Sequence, residues 1–229
     1  DRLSGDELVV RRATEGERLV TLDGVERTLS KADIVICDAD GPTSLAGTMG
    51  GEDSEVHDGT TRALIEAASW DPPSIMHTSR RHGLRSEASA RFERGVDPQL
   101  PPLAARRAAE LILETAGGAL REEAVDVVAR PFAPTVIRLT TRDVTRILGD
   151  GFDSERIAGL LRRLGFGVEG ADPLSVTVPS YRPDVTRPID LVEEVARLAD
   201  YDTFGERLRP GVGGGLTPEQ RLERRIREL

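Results

Sequence analysis

The chain has 229 residues, with 40 acidic against 31 basic side chains and a formal net charge of −9, a length that suits one large or two modest domains. Its 38% hydrophobic and 31% charged residues fit a globular protein and exclude a disordered one, and no apolar run approaches the roughly 20 residues needed to cross a bilayer. The acidic balance excludes a surface coated all over with nucleic acid, while leaving room for a local basic face. The opening residues Asp1-Arg2-Leu3-Ser4-Gly5-Asp6 fit neither a signal nor a transit peptide, and they lack an initiator Met. Since the last residues also stop inside a helical pattern, the sequence reads as an internal piece of a longer polypeptide.

Residues 7–37 alternate in the strand manner, with candidates at Glu7–Ala13, Arg18–Leu22, Val25–Leu29 and Ile34–Cys37. Asp23-Gly24 is the strongest hairpin signal. Cys37, the single cysteine, lies in an apolar run that reads as a buried strand. It has no partner for an internal disulfide, so a reducing, cytoplasmic home is the expectation. Further strands are predicted at Thr43–Met49 and Arg62–Ala68, separated by the loop Gly50-Gly51-Glu52-Asp53. The pattern then turns helical: Asp71 caps a start at Pro72-Pro73, helices fall at 73–82 and 86–94 with a break at Gly83, and a longer helix runs from Pro102 to Ala116. A strand at Glu123–Val128 leads into Ala129-Arg130-Pro131-Phe132-Ala133-Pro134, the best domain boundary.

The second segment, 135–205, is more regular. A strand at Val136–Leu139 precedes helices at Thr141–Leu148 and Ser154–Leu164, strands at Gly167–Glu169 and Leu174–Val178, and a helix at Ile189–Ala199. That βααββα order is winged-helix-like, and the fold class expected is α+β. A Pro/Gly-rich linker, Pro210–Gly215, precedes a helix start at Thr217-Pro218-Glu219-Gln220.

Three constellations carry chemistry. In the first, Gly50-Gly51 permits close backbone approach to a ligand, without the spacing of a phosphate loop. Glu66, among Leu64, Ile65, Ala67 and Ala68, is either on a wet strand face or buried for a purpose. In the second, six basic residues fall between Thr78 and Pro98 (Arg80, Arg81, His82, Arg85, Arg91 and Arg94). They form either a solvated face stitched by pairs such as Glu87–Arg91 or a recognition surface for phosphate or carboxylate. In the third, Asp190, Glu193 and Glu194 crowd the first turns of a helix. They either complement its dipole or supply hard oxygen ligands of the kind Mg²⁺ prefers.

The run Met49-Gly50-Gly51-Glu52, Leu64-Ile65-Glu66-Ala67-Ala68, Arg80-Arg81-His82-Gly83-Leu84-Arg85-Ser86-Glu87-Ala88-Ser89 and Arg91-Phe92-Glu93-Arg94-Gly95-Val96-Asp97-Pro98 resembles the signature of the bacterial phenylalanyl-tRNA synthetase β-subunit family. The resemblance places residues 1–130 in the C-terminal part of the editing (third-and-fourth) domain and 135–205 in the winged-helix-like fifth domain. Residues 210–229 become the linker and first helix of a catalytic-like module. It implies that Gly50, Glu66, Ser86 and Ala88 line a pocket that hydrolyses Tyr-tRNA formed in error, with serine at 86 where the family usually has threonine. The segment from Tyr181 to Arg197 resembles the end of the family's fifth domain. That likeness puts Asp184, Asp190, Glu193 and Glu194 at the ligand positions of one Mg²⁺ ion near the contact with the α subunit. Also implied are the α-subunit partner in an α2β2 heterotetramer, the phenylalanine tRNA, and ATP as substrate of the whole enzyme, with no membrane role. The aminoacylation site belongs to the α subunit in this family, so this chain by itself is not expected to charge tRNA. Two other functions compete: a non-catalytic nucleic-acid-binding winged helix, disfavoured by the acidic helix at Asp190–Asp200, and a free-standing mischarged-tRNA hydrolase, which requires a complete pocket in this chain.

Overall fold

Between Val9 and Gly50 the period-two pattern closes into antiparallel sheet. The computed structural model describes residues 1–121, 124–201, 204 and 215–228. The chain divides into two units, Asp1–Val136 with Thr177–Thr186, and Ile137–Val176 with Arg187–Leu229. In the first unit, β1 (Val9–Arg12), β4 (Ile34–Cys37), β5 (Pro42–Leu45) and β6 (Met49–Gly50) form a four-stranded sheet in the order β1-β4-β5-β6. β2 (Arg18–Val20) and β3 (Glu26–Thr28) form a separate hairpin across Asp23-Gly24, where Gly24 takes φ +73°. An isolated bridge, Thr21 to Gly51, ties that hairpin to the sheet. Ala13, Leu19, Leu29, Val35, Cys37, Leu45 and Leu84 make the core beneath, with Met49 packed against it. Burial also pushes the Cys37 thiol above its ordinary value, so the buried-strand reading of that cysteine holds and a reactive thiolate does not.

Thr43–Met49, expected as one strand, is a tight hairpin of β5 and β6 turning at Gly47, whose φ of +62° a side chain rarely adopts. The expected strand Arg62–Ala68 has no regular structure. Its apolar residues are consecutive rather than alternating, and no described strand pairs with it. The segment is held by side chains instead: the Asp1 carboxylate accepts from Thr61 N at 2.5 Å and Arg62 Nε at 3.0 Å, and the Ser69 hydroxyl donates to Val96 O at 3.4 Å. Of the strand expected at Glu123–Val128, Glu123 lies outside the described residues, and 124–128 are irregular with Val125 and Val127 86% or more exposed. Alternation alone cannot make a strand when no ladder is offered.

The helices follow their signals. Asp71 caps α1 (Pro72–His82) by accepting from Ser74 N, and Gly83 ends it in the left-handed conformation. Short α2 (Glu87–Phe92) and α3 (Pro101–Ala116) follow, and only Ala109 of α3 is fully buried.

The second unit has the expected order: β7 (Val136–Leu139), α4 (Thr141–Leu148), α5 (Ser154–Arg163), β8 (Gly167–Glu169), β9 (Leu174–Thr177) and α6 (Pro188–Ala199), with sheet order β7-β9-β8. A reciprocal box between Thr140 and Asp143 starts α4, and the Asp153 carboxylate starts α5. α6 packs on α4 and α5 through Leu191, Val192, Val195 and Ala196. Their core partners include Leu139, Val144, Ile157, Leu161, Leu174 and Val176, all 1% exposed or less. Most of the linker expected at 210–215 lies outside the described residues, and α7 (Pro218–Arg227) follows with Thr217 as its cap. Among the described residues no helix is long and apolar enough to cross a membrane.

Candidate functional site

The basic motif is organised by a carboxylate that its own sequence neighbourhood does not announce. Asp33, 0% exposed, accepts from Ser30 N at 2.9 Å, Thr78 Oγ1 at 3.0 Å and Arg81, and pairs with His82 Nε2 at 3.0 Å. Burial pushes its carboxyl up, but the Ser30 N–H, His82 and Thr78 more than offset this, leaving it below the ordinary carboxylate value. Arg27 Nη1 donates to His82 O at 2.9 Å, a second tie onto the same helix end. Two of the six basic residues of this stretch are therefore structural, since Arg81 and His82 hold α1 to the β-layer. Arg91 forms the expected pair with Glu87, at 2.6 Å. The signal for Asp33 was invisible in sequence because its partners lie 45 to 49 residues away.

Gly50 and Ser86 share one neighbourhood. The Ser86 hydroxyl donates to Thr48 O at 2.6 Å and accepts from Ser89 N at 3.0 Å, so it caps α2 and ties that helix to the β5–β6 hairpin. Its polarity is spent on positioning. Ala88 sits exposed in the first turn of α2. Gly50 is half-buried, and a Cβ there would lie 3.1 Å from the mobile end of Leu22. Gly51, not singled out from sequence, is the stricter glycine: its N–H donates to Thr43 O at 2.7 Å, and a Cβ would stand 2.6 Å from that same oxygen. A Gly-Gly pair signals close approach without saying which member needs it.

Glu66 stands apart. It belongs to the irregular segment rather than a strand, and among the described residues no hydrogen bond or ion pair reaches it. Its surface is open to solvent, yet desolvation raises its carboxyl above the ordinary value. Solvent access decides that a ligand can reach it; the crowding decides the direction of the shift.

Three of the four acidic residues are paired with nearby arginines. Asp184, in the first unit, pairs with Arg182 at 2.6 Å. In the second unit Asp190 accepts from Arg187 N at 2.8 Å and pairs with its guanidinium, Glu194 is buried and paired with Arg197, and Glu193 is exposed. Among the described residues no three His, Cys, Asp or Glu side chains are grouped so as to hold a metal ion.

The family model described as "B3/4 domain" matches residues 1–117, and that described as "tRNA synthetase B5 domain" matches 137–201. The chain is 47% identical over 221 residues to the phenylalanine–tRNA ligase β subunit of Streptomyces avermitilis, covering 95% of this chain and 26% of that one. The β subunits of Bacillus licheniformis and Moorella thermoacetica are 44% and 46% identical across 100% of this chain and 29% of their own lengths. A solved N-terminal fragment of the Pyrococcus horikoshii phenylalanyl-tRNA synthetase β subunit overlays more distantly, with a TM-score of 0.43 at 12% identity, over 86% of this chain and 57% of that one. The chain belongs to the phenylalanyl-tRNA synthetase β-subunit family, and it spans between a quarter and three tenths of the length of these bacterial relatives.

Proposed function

We propose that this chain contributes part of a proofreading site that hydrolyses tyrosine wrongly esterified to the phenylalanine tRNA, within an enzyme assembled with an α subunit. The observation that carries this reading is Glu66: an accessible carboxylate, crowded by protein and left without an internal donor. Tyrosine differs from phenylalanine by one hydroxyl, and a desolvated carboxylate gains more from an incoming O–H donor than a fully hydrated one does. Phenylalanine brings no donor, so it would leave that carboxylate desolvated and unpaired. A site built to hydrogen-bond one hydroxyl rejects the analogue lacking it far better than an apolar slot distinguishes isosteres. The glycine hairpin and the α2 cap are tied to one another, with Ser86 holding α2 in place and Gly51 fixing the backbone.

Charging with ATP and Mg²⁺ is, in this reading, work of the complete assembly in the cytoplasm. Asp184, Asp190 and Glu194 are each paired with an arginine two or three residues away and Glu193 is exposed, so a magnesium ion held by these carboxylates would have to displace those pairs.

In the complete α/β enzyme, Glu66→Ala is expected to reduce discrimination between Tyr-tRNA and Phe-tRNA in deacylation by roughly ten- to a hundredfold, the scale of one charged hydrogen bond. Phenylalanine charging should persist. Unchanged Tyr-tRNA hydrolysis in that variant would sink the assignment.

A further inference from the structure

Between the end of α1 and the α2 region lies a concavity of about 290 Å³, lined by Ser79, Arg80, Gly83, Leu84, Arg85 and Glu93. We infer that this concavity is a ribose-phosphate cradle that grips the RNA backbone, with Arg80 and Arg85 on a phosphodiester and Glu93 on a ribose hydroxyl. The inference rests on the proofreading reading above for its substrate, an aminoacylated RNA.

The convergence of two guanidiniums and one carboxylate on a single hollow carries it. In this motif Arg81 is spent on Asp33 and Arg91 on Glu87. Arg80 and Arg85 are exposed, and among the described residues neither has a hydrogen bond or ion pair, although both line one cavity. A guanidinium fork matches phosphate geometry and is weakly hydrated, so two of them facing one hollow favour a phosphate. Glu93 lines the same hollow, half-buried and also without a side-chain partner. A bare anion would be repelled by it. A ribose 2′-hydroxyl donates to it, which separates RNA from both DNA and free phosphate. The size, near the lower end of the roughly 300–1,000 Å³ typical of ligand sites, suits one nucleotide's backbone rather than a whole base pair. Position agrees as well. Arg85 immediately precedes Ser86, which is bonded to the Gly50 hairpin, so a strand held at Arg85 is delivered next to that hairpin.

The test uses Tyr-tRNA deacylation by the complete α/β enzyme. The double variant Arg80→Gln/Arg85→Gln is expected to raise KM at least about fivefold with kcat within about twofold, and to flatten the slope of log(kcat/KM) against log salt by about 0.7 to 0.9. Arg80→Lys/Arg85→Lys, keeping charge without the fork, should restore the salt slope and most of KM. Arg91→Gln, whose arginine is already paired, should move neither. A fall in kcat at constant KM, or an equal effect from Arg91→Gln, overturns the cradle. So does a double variant that leaves the tRNA KM untouched while abolishing millimolar competition by inorganic phosphate, which assigns the hollow to a free anion. Glu66→Ala separates the two readings: it should lose tyrosine discrimination at an unchanged tRNA KM. If it does so while the arginine variants leave KM unmoved, the cradle alone fails.

Discussion

The second unit buries three helices and a three-stranded sheet around aliphatic side chains, whereas the first unit holds its motif-bearing helices to a small sheet largely through polar ties. In the second unit Leu139, Val144, Ile157, Leu161, Val176, Leu191 and Val195 are completely buried. In the first, apart from apolar contacts such as Leu84 and Ile75, the links between helix and sheet layers are Asp33 to Thr78, Arg81 and His82, Arg27 to the His82 carbonyl, and Ser86 to the Thr48 carbonyl. Apolar burial supplies stabilisation without direction, while a network of buried donors and acceptors fixes one arrangement and is costly to leave half-made.

The sharpest way to break this comparison is Asp33→Ala. Removing the acceptor strands a partly buried guanidinium and imidazole, and a loss of about 3–5 kcal/mol is expected. Trp70, the single tryptophan, lies in the first unit and reports its unfolding in urea. A loss under about 1 kcal/mol would show that apolar packing governs this unit too. The acid limb gives an independent check. A carboxyl whose folded pKa lies below its unfolded value stabilises fully above the unfolded value of about 3.9, and that contribution is lost as pH falls through the lowered folded value. Asp33 is such a group, so Asp33→Asn should flatten the decline in stability below about pH 4 relative to the unsubstituted chain.

A smaller effect sharpens the local picture. Gly51→Ala drives a Cβ into a fixed backbone oxygen, and about 1–3 kcal/mol of destabilisation is expected. Gly50→Ala meets only the end of Leu22, itself 47% exposed, and should cost less than half as much. Calorimetry on the pair checks this, and equal losses would refute the distinction. The smallest effect belongs to the second unit: Thr140→Ala removes one side of a capping box and should cost about 1 kcal/mol. Hydrogen exchange in α4 is the measurement, and unchanged protection there would remove the cap from the account.

Much of the second unit was legible residue by residue. Its caps at Thr140 and Asp153 and the alternation of Ile137 and Leu139 are local signals, and the structure differs from the expected bounds by a residue or so at each element. The first unit was legible in its strands and hairpin, but not at Arg62–Ala68 or Val125–Val127. There the apolar pattern suggested strands, and no described neighbour supplied the ladder. For the candidate site, Gly50, Glu66, Ser86 and Ala88 were chosen by likeness, and the structure joins Ser86 to the Gly50 hairpin while no hydrogen bond or ion pair links Glu66 to the other three.

Several dissimilar submotifs in fixed order identified the family from sequence, and short-range periodicity and capping gave the element order of the second unit and the helices of the first. Only the tertiary structure decided which arginines of one motif are structural and which face a hollow. It also decided which of two adjacent glycines the backbone requires. The physical reason is range. Propensity, period and capping act over about four residues, whereas Asp33 finds Thr78, Arg81 and His82 45 to 49 residues away, and the Cβ of Gly51 meets the backbone of a neighbouring strand at Thr43.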